Sequence, residues 1–173
     1  SLCTLARAGI DGSAAEPQLC TAEHRVVFRA EGRSGASIPF AGQEQACASV
    51  SKNPLVLTVF TDAAGGQVLL AGRFDAAIDE IKATRRSPAV RSLNLTNLCV
   101  AQIVARDWLE ARGTCDAAVE AARLDRAGAP TWPVAVRDHY RAFMAVAYSN
   151  RAVLSILAQD VAAGESDLMN ARK

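Results

Sequence analysis

The chain has 173 residues, enough to enclose a core of its own and few enough for one compact domain, or one with an appended segment. Half of its residues are apolar but only 5% are aromatic, so alanine and leucine carry much of the packing. A net charge of +1 and a pI near 7.6 leave no electrostatic footprint for nucleic acid, and no apolar run reaches the length of a membrane span.

Residues 1–60 read as an irregular, short-strand segment. Leu2 to Ile10 suits a short helix, and Asp11-Gly12-Ser13 ends it. His24 to Ala30 has strand composition and is broken by Glu31-Gly32-Arg33-Ser34-Gly35. Pro54-Leu55-Val56-Leu57-Thr58-Val59-Phe60 is the best strand in the chain, rich in β-branched residues. The two strands can pair into a small ribbon against the first of the helical repeats that follow, or much of the segment can be an irregular cover for a repeat end. Ser1 in place of Met is consistent with an upstream segment having been removed.

From residue 61 the pattern becomes helical and repeats. Leu95, Leu98 and Ala101 share one side of a helix, and Trp108, Ala111, Cys115 and Ala118 share one side of the next. Arg106-Asp107 links the two into an αα-hairpin. Placing Trp108 over Phe74 gives an offset of 34 residues, which lays Ala77 on Ala111, Ile81 on Cys115 and Gly65 on Cys99. A third copy follows at a spacing of 53, with Asn150 on Asn97, Ala152 on Cys99, Gly164 on Ala111 and Leu168 on Cys115. With this period the chain resembles the tetratricopeptide repeat family over about residues 61–173. The expected fold is mainly α, an α-α superhelix of tetratricopeptide-like hairpins, with units at about 61–89, 90–125 and 134–173.

Within the first unit, Asp62 to Ala71 is a weak helix interrupted by Gly65-Gly66, and Phe74 to Arg85 is its partner, ended by Ser87-Pro88. The second unit runs to about Asp125 and closes at Ala127-Gly128-Ala129-Pro130. An insertion precedes the third, whose first helix starts near Pro133 and is lengthened by several turns. Its apolar stripe is Val136, Tyr140, Phe143, Ala147 and Leu154. No polar capping helix follows Lys173, so a partner, or chain beyond this sequence, is expected on that end.

Five cysteines are many for a cytosolic chain of this size, and the absence of Cys-x-x-Cys argues against a zinc site. Cys99 and Cys115 stand at similar heights above the Arg106-Asp107 turn, and in the repeat register both face the helix–helix contact. They form either a disulfide or a pair of buried thiols, and a disulfide points to a periplasmic or secreted protein. Free thiols point instead to a cytoplasmic one. Which of Cys3, Cys20 and Cys47 pair is not set by their spacing.

The material for catalysis is sparse. Adjacent residues on a helix diverge, so Asp138-His139 is no acid–base pair, and His24 is the only other histidine. Ala63-Ala64-Gly65-Gly66 lacks the Lys-Ser/Thr of a phosphate loop. A non-catalytic module with no cofactor and no metal is expected. The family resemblance implies partner-binding positions on the first helix of each hairpin: Thr96, Asn97, Val100 and Ile103, then Ser149, Asn150, Val153 and Ile156. Asn97 and Asn150 occupy the same repeat position, and an amide can hold a peptide backbone regardless of its sequence. Family members that bind a C-terminal carboxylate place Lys before that asparagine. Thr96 and Ser149 stand there instead, so the groove suits an apolar peptide or helix. The expected partner is another protein or peptide. The alternatives are self-assembly with a second copy, or an accessory domain presenting substrate to an enzyme.

Overall fold

In the computed structural model the described residues are 24–31, 37–38, 53–84, 91–127 and 133–173. The expected helix at Leu2 to Ile10 and the cysteines at 3, 20 and 47 lie outside them.

Three strands come first: β1 (His24–Glu31), β2 (Ser37–Ile38) and β3 (Asn53–Phe60). The sheet order is β2-β1-β3. β1 and β3 pair in parallel along their full length, from His24 opposite Asn53 to Glu31 opposite Phe60. β2 adds a short antiparallel contact on the other edge of β1, Phe28 opposite Ile38. A parallel pair needs a long connection, and the sequence has residues 32–52 between these two strands. Leu57, Thr58, Val59 and Phe60 are all buried. That is how a strand covered on both faces reads, as a continuous run rather than an alternation.

Six helices follow among the described residues: α1 (Gly66–Leu70), α2 (Phe74–Thr84), α3 (Arg91–Ala105), α4 (Trp108–Ala127), α5 (Val134–Leu157) and α6 (Val161–Ala171). They pair through three turns of one kind. The N–H of Arg73, Asp107 and Asp160 donates to the carbonyl of Val68, Gln102 and Ser155 respectively. The residue before each is left-handed: Gly72, Arg106 and Gln159, with φ of 73°, 64° and 63°. These are helix C-terminal caps of Schellman type, in which glycine is the unstrained residue. Their spacing along the chain is that of the sequence repeat.

The first helix of the first pair is shorter than its sequence suggests. Thr61 to Gly65 is a turn, because β3 continues through Phe60 and Gly65 takes φ +71°. A Cβ on Gly66 would strike the Phe60 carbonyl, so the chain leaves the strand through a passage open only to glycine. By contrast α5, at 24 residues against 15 for α3, carries the expected extra turns. Pro133 stands just before it as the cap residue rather than within its first turn.

The repeat register is visible in the packing. Gly65 approaches Ile81 so closely that a Cβ would lie 2.6 Å from its Cγ1. The matching pair in the next unit, Cys99 and Cys115, is a disulfide with Cα atoms 4.9 Å apart. Ala77, Ala111 and Gly164, at one register position, are each small and buried on their second helices. The third unit departs at one place. Leu168, on the register of Ile81 and Cys115, is 38% exposed, and Asp167 is buried instead. Asp167 turns inward to meet Arg151 of α5, which rotates Leu168 outward.

The main core joins sheet and helices. Val26 and Phe28 of β1 and Leu57 and Val59 of β3 pack with Val100 and Ile103 of α3 and Val153, Leu154 and Leu157 of α5. The sheet therefore lies on the first helices of the second and third pairs, not only on the first pair.

Candidate functional site

The free edge of β3 passes over α3 and α5, and there the two repeat-equivalent asparagines meet it. An extended residue points its own N–H and C=O to the same edge, and alternate residues share that edge. Thr58 and Phe60 are such a pair, facing away from β1. Asn150 accepts from the Thr58 N–H at 2.8 Å through Oδ1 and donates to the Thr58 carbonyl at 2.8 Å through Nδ2. Asn97 does the same with Phe60, accepting at 2.9 Å and donating at 2.9 Å. Each side-chain amide thus stands in for one residue of a neighbouring strand.

The clamp continues past the strand end. Asn97 Nδ2 also donates to the Ala64 carbonyl at 3.1 Å, and Asn94 Oδ1 accepts from the Ala64 N–H at 3.2 Å. Asn97 and Asn150 are fully buried, so these bonds form away from water. They satisfy backbone groups of an edge strand that would otherwise be buried without partners.

The sequence-derived partner positions are accordingly in the interior. Thr96, Val100, Ile103 and Val153 are buried with the two asparagines, while Ser149 and Ile156 are half-buried. The Thr96 hydroxyl donates to the Ser92 carbonyl one turn back. Ile156 lies against Gly164. The face that the resemblance assigned to another molecule is covered by the chain's own sheet. The physical reason is that Leu57 and Val59 bury their side chains there while Asn150 bonds the Thr58 backbone between them and Asn97 the Phe60 backbone just beyond.

A polar knot that sequence reasoning missed joins three helices. Arg151 Nε and Nη2 donate to the two carboxylate oxygens of Asp167 at 2.8 and 2.7 Å, and Nη1 donates to Asp116 of α4 at 2.9 Å. Hydrogen bonding to Asp167 raises the Arg151 pKa above its ordinary value, against the opposing effect of burial. The three residues come from separate helices, and no local spacing joins them. The guanidinium also lies 5.4 Å from the centre of the Tyr148 ring.

Asp138 and His139 do not form an acid–base pair. Asp138 meets Arg141 at 3.5 Å, and the His139 ring packs on Phe143 with centroids 4.2 Å apart.

Comparison with protein-family models, curated proteins and solved structures finds no match. The geometry therefore carries the functional reading by itself.

Proposed function

We propose that this chain is a non-catalytic protein-interaction scaffold built on tetratricopeptide-like hairpins, whose strand-holding face is filled by its own β3 in the free state. The carrying observation is the pair of amide rings, Asn150 on Thr58 and Asn97 on Phe60. They read only main-chain atoms, so an extended segment of another protein meets the same donors and acceptors when β3 leaves. A partner strand that is a near-continuous apolar run, as β3 is, is the occupant this face suits.

Export to a periplasmic or secreted setting belongs to the same reading. The Cys99–Cys115 bridge supports it, since such bonds persist in oxidising compartments. Self-assembly is the second reading, favoured by Val161, Leu168 and Met169, which α6 exposes on its outer side. Solution mass by light scattering separates the two: the scaffold is monomeric without a partner, and the self-assembling element is not.

The strand-holding reading is tested with a fluorescent peptide of residues 53–61 and the full chain carrying Thr58→Pro. Proline removes the N–H that Asn150 accepts and loosens β3. The peptide is expected to bind this variant and to lose binding when Asn97→Ala and Asn150→Ala are added, with helical circular dichroism retained in both. Binding that survives the asparagine changes overturns the assignment, as does a folded Thr58→Pro chain that binds no peptide.

A further inference from the structure

At the end of β3, where Asn97 holds the Phe60 main chain, the Phe60 side chain lines a second feature. A half-open cleft of about 570 Å³ is bounded by the ends of β1 and β3, the start of α3 and the first half of α5. That volume lies within the range of small-molecule sites, roughly 300–1,000 Å³. We propose that this cleft binds a small organic cation, an ammonium group carried on a short apolar body.

The walls are aromatic and apolar. Phe60 and Phe143 meet edge to face, with centroids 5.1 Å apart and planes at 80°. The His139 ring adds a third surface 4.2 Å from Phe143, inclined at 60°. All three rings line the cleft, and an aromatic face that a guest reaches there attracts a cation. Leu93 supplies an aliphatic floor.

The rim is acidic. Glu31 and Asp62 are the charged residues of the lining, and no Lys or Arg joins them among the described residues. The ion pairs of the described residues engage Glu120, Asp138, Asp116 and Asp167, not these two. Glu31 is half-buried, and its main chain is fixed by Thr61, whose N–H and hydroxyl both donate to the Glu31 carbonyl at 3.0 and 3.1 Å. Asp62 accepts only a long 3.5 Å contact from the Thr61 hydroxyl. Two carboxylates that have no cationic partner among the described residues, beside an apolar, ring-lined cleft, repel anions and favour a positive guest over a neutral one of the same shape. An apolar body fills the cleft, and the cationic head sits between the rings and the rim.

The cleft shares Phe60 with the strand that Asn97 holds, so the cation binds the chain with β3 in place. Cation binding without peptide exchange, or exchange without cation binding, shows which of the two proposals fails. The test is a titration of the isotopically labelled full chain with benzyltrimethylammonium chloride, followed by nuclear magnetic resonance. Phenylacetate and benzyl alcohol serve as the anionic and neutral controls. The cation is expected to shift the resonances of Glu31, His139 and Phe143 saturably, and to bind more tightly than either control. Glu31→Gln with Asp62→Asn, which keeps the size of both side chains, should weaken it about tenfold. Phe143→Leu should weaken it about threefold. Equal binding of the neutral or anionic ring overturns the proposal. So does unchanged affinity in the double carboxylate variant, or the lack of any saturable shift.

Discussion

Asn150 closes a two-bond ring on Thr58, accepting from its N–H and donating to its carbonyl, both at 2.8 Å. Asn97, at the same place in the preceding repeat, closes the same ring on Phe60. Replacing either asparagine by alanine leaves a buried N–H and a buried carbonyl unpaired. Each change is expected to cost about 3 kcal/mol in chemical denaturation. Asn97→Asp should cost at least as much, because a carboxylate accepts from Phe60 but cannot donate to its carbonyl or to that of Ala64. A loss below about 1 kcal/mol in both alanine variants would show that the amides do not hold the strand.

The Cys99–Cys115 bridge joins α3 to α4 across a separation of 16 residues. Closing a loop of about this size stabilises by roughly 3 kcal/mol. Thermal unfolding with and without reductant should show a clear drop in midpoint on reduction. Alkylation followed by peptide mapping should label these two cysteines only after reductant is added. Labelling without it would contradict the bridge and remove the main support for export.

Arg151, Asp167 and Asp116 should respond unequally. Asp167 is 6% exposed, so Arg151→Ala strands a buried carboxylate and is expected to cost about 3 kcal/mol. The Asp116 side chain is 60% exposed, and Asp116→Ala should cost less than about 1 kcal/mol. Equal effects in urea denaturation would show that the two carboxylates contribute alike, contrary to their burial.

Two glycines should change stability in opposite directions. Gly65 holds φ +71°, and a Cβ there would press on Ile81 and on the Ala77 carbonyl, so Gly65→Ala is expected to cost about 2 kcal/mol. Gly113 lies within α4 with nothing within 4 Å of a built Cβ. Gly113→Ala should therefore stabilise by about 0.5–1 kcal/mol through helix propensity. Thermal midpoints of the two variants check both signs.

The hairpins were legible because their information is local. Small residues at Ala77, Ala111 and Gly164 and turns at Gly72, Arg106 and Gln159 recur with the repeat. Each turn is closed by main-chain bonds within a few residues. The height of Cys99 and Cys115 above one such turn was sufficient to bring them together. The strands at 24–30 and 54–60 were also readable, from β-branched composition between breakers.

The tertiary structure decided what those strands pair with and what the asparagines hold. Composition shows a strand but carries no sign of its direction or neighbour, so the parallel pairing of β1 with β3 had no local signature. An asparagine on a helix reads the same whether its amide faces a partner or its own chain. The bonds that settle it span 37 and 92 positions, from Asn97 to Phe60 and from Asn150 to Thr58. The sequence by itself determined the helical hairpins, their turns and an asparagine at the same position of the second and third. Only the fold decided that β3 lies there, because that choice rests on long-range burial of Leu57 and Val59 against α3 and α5.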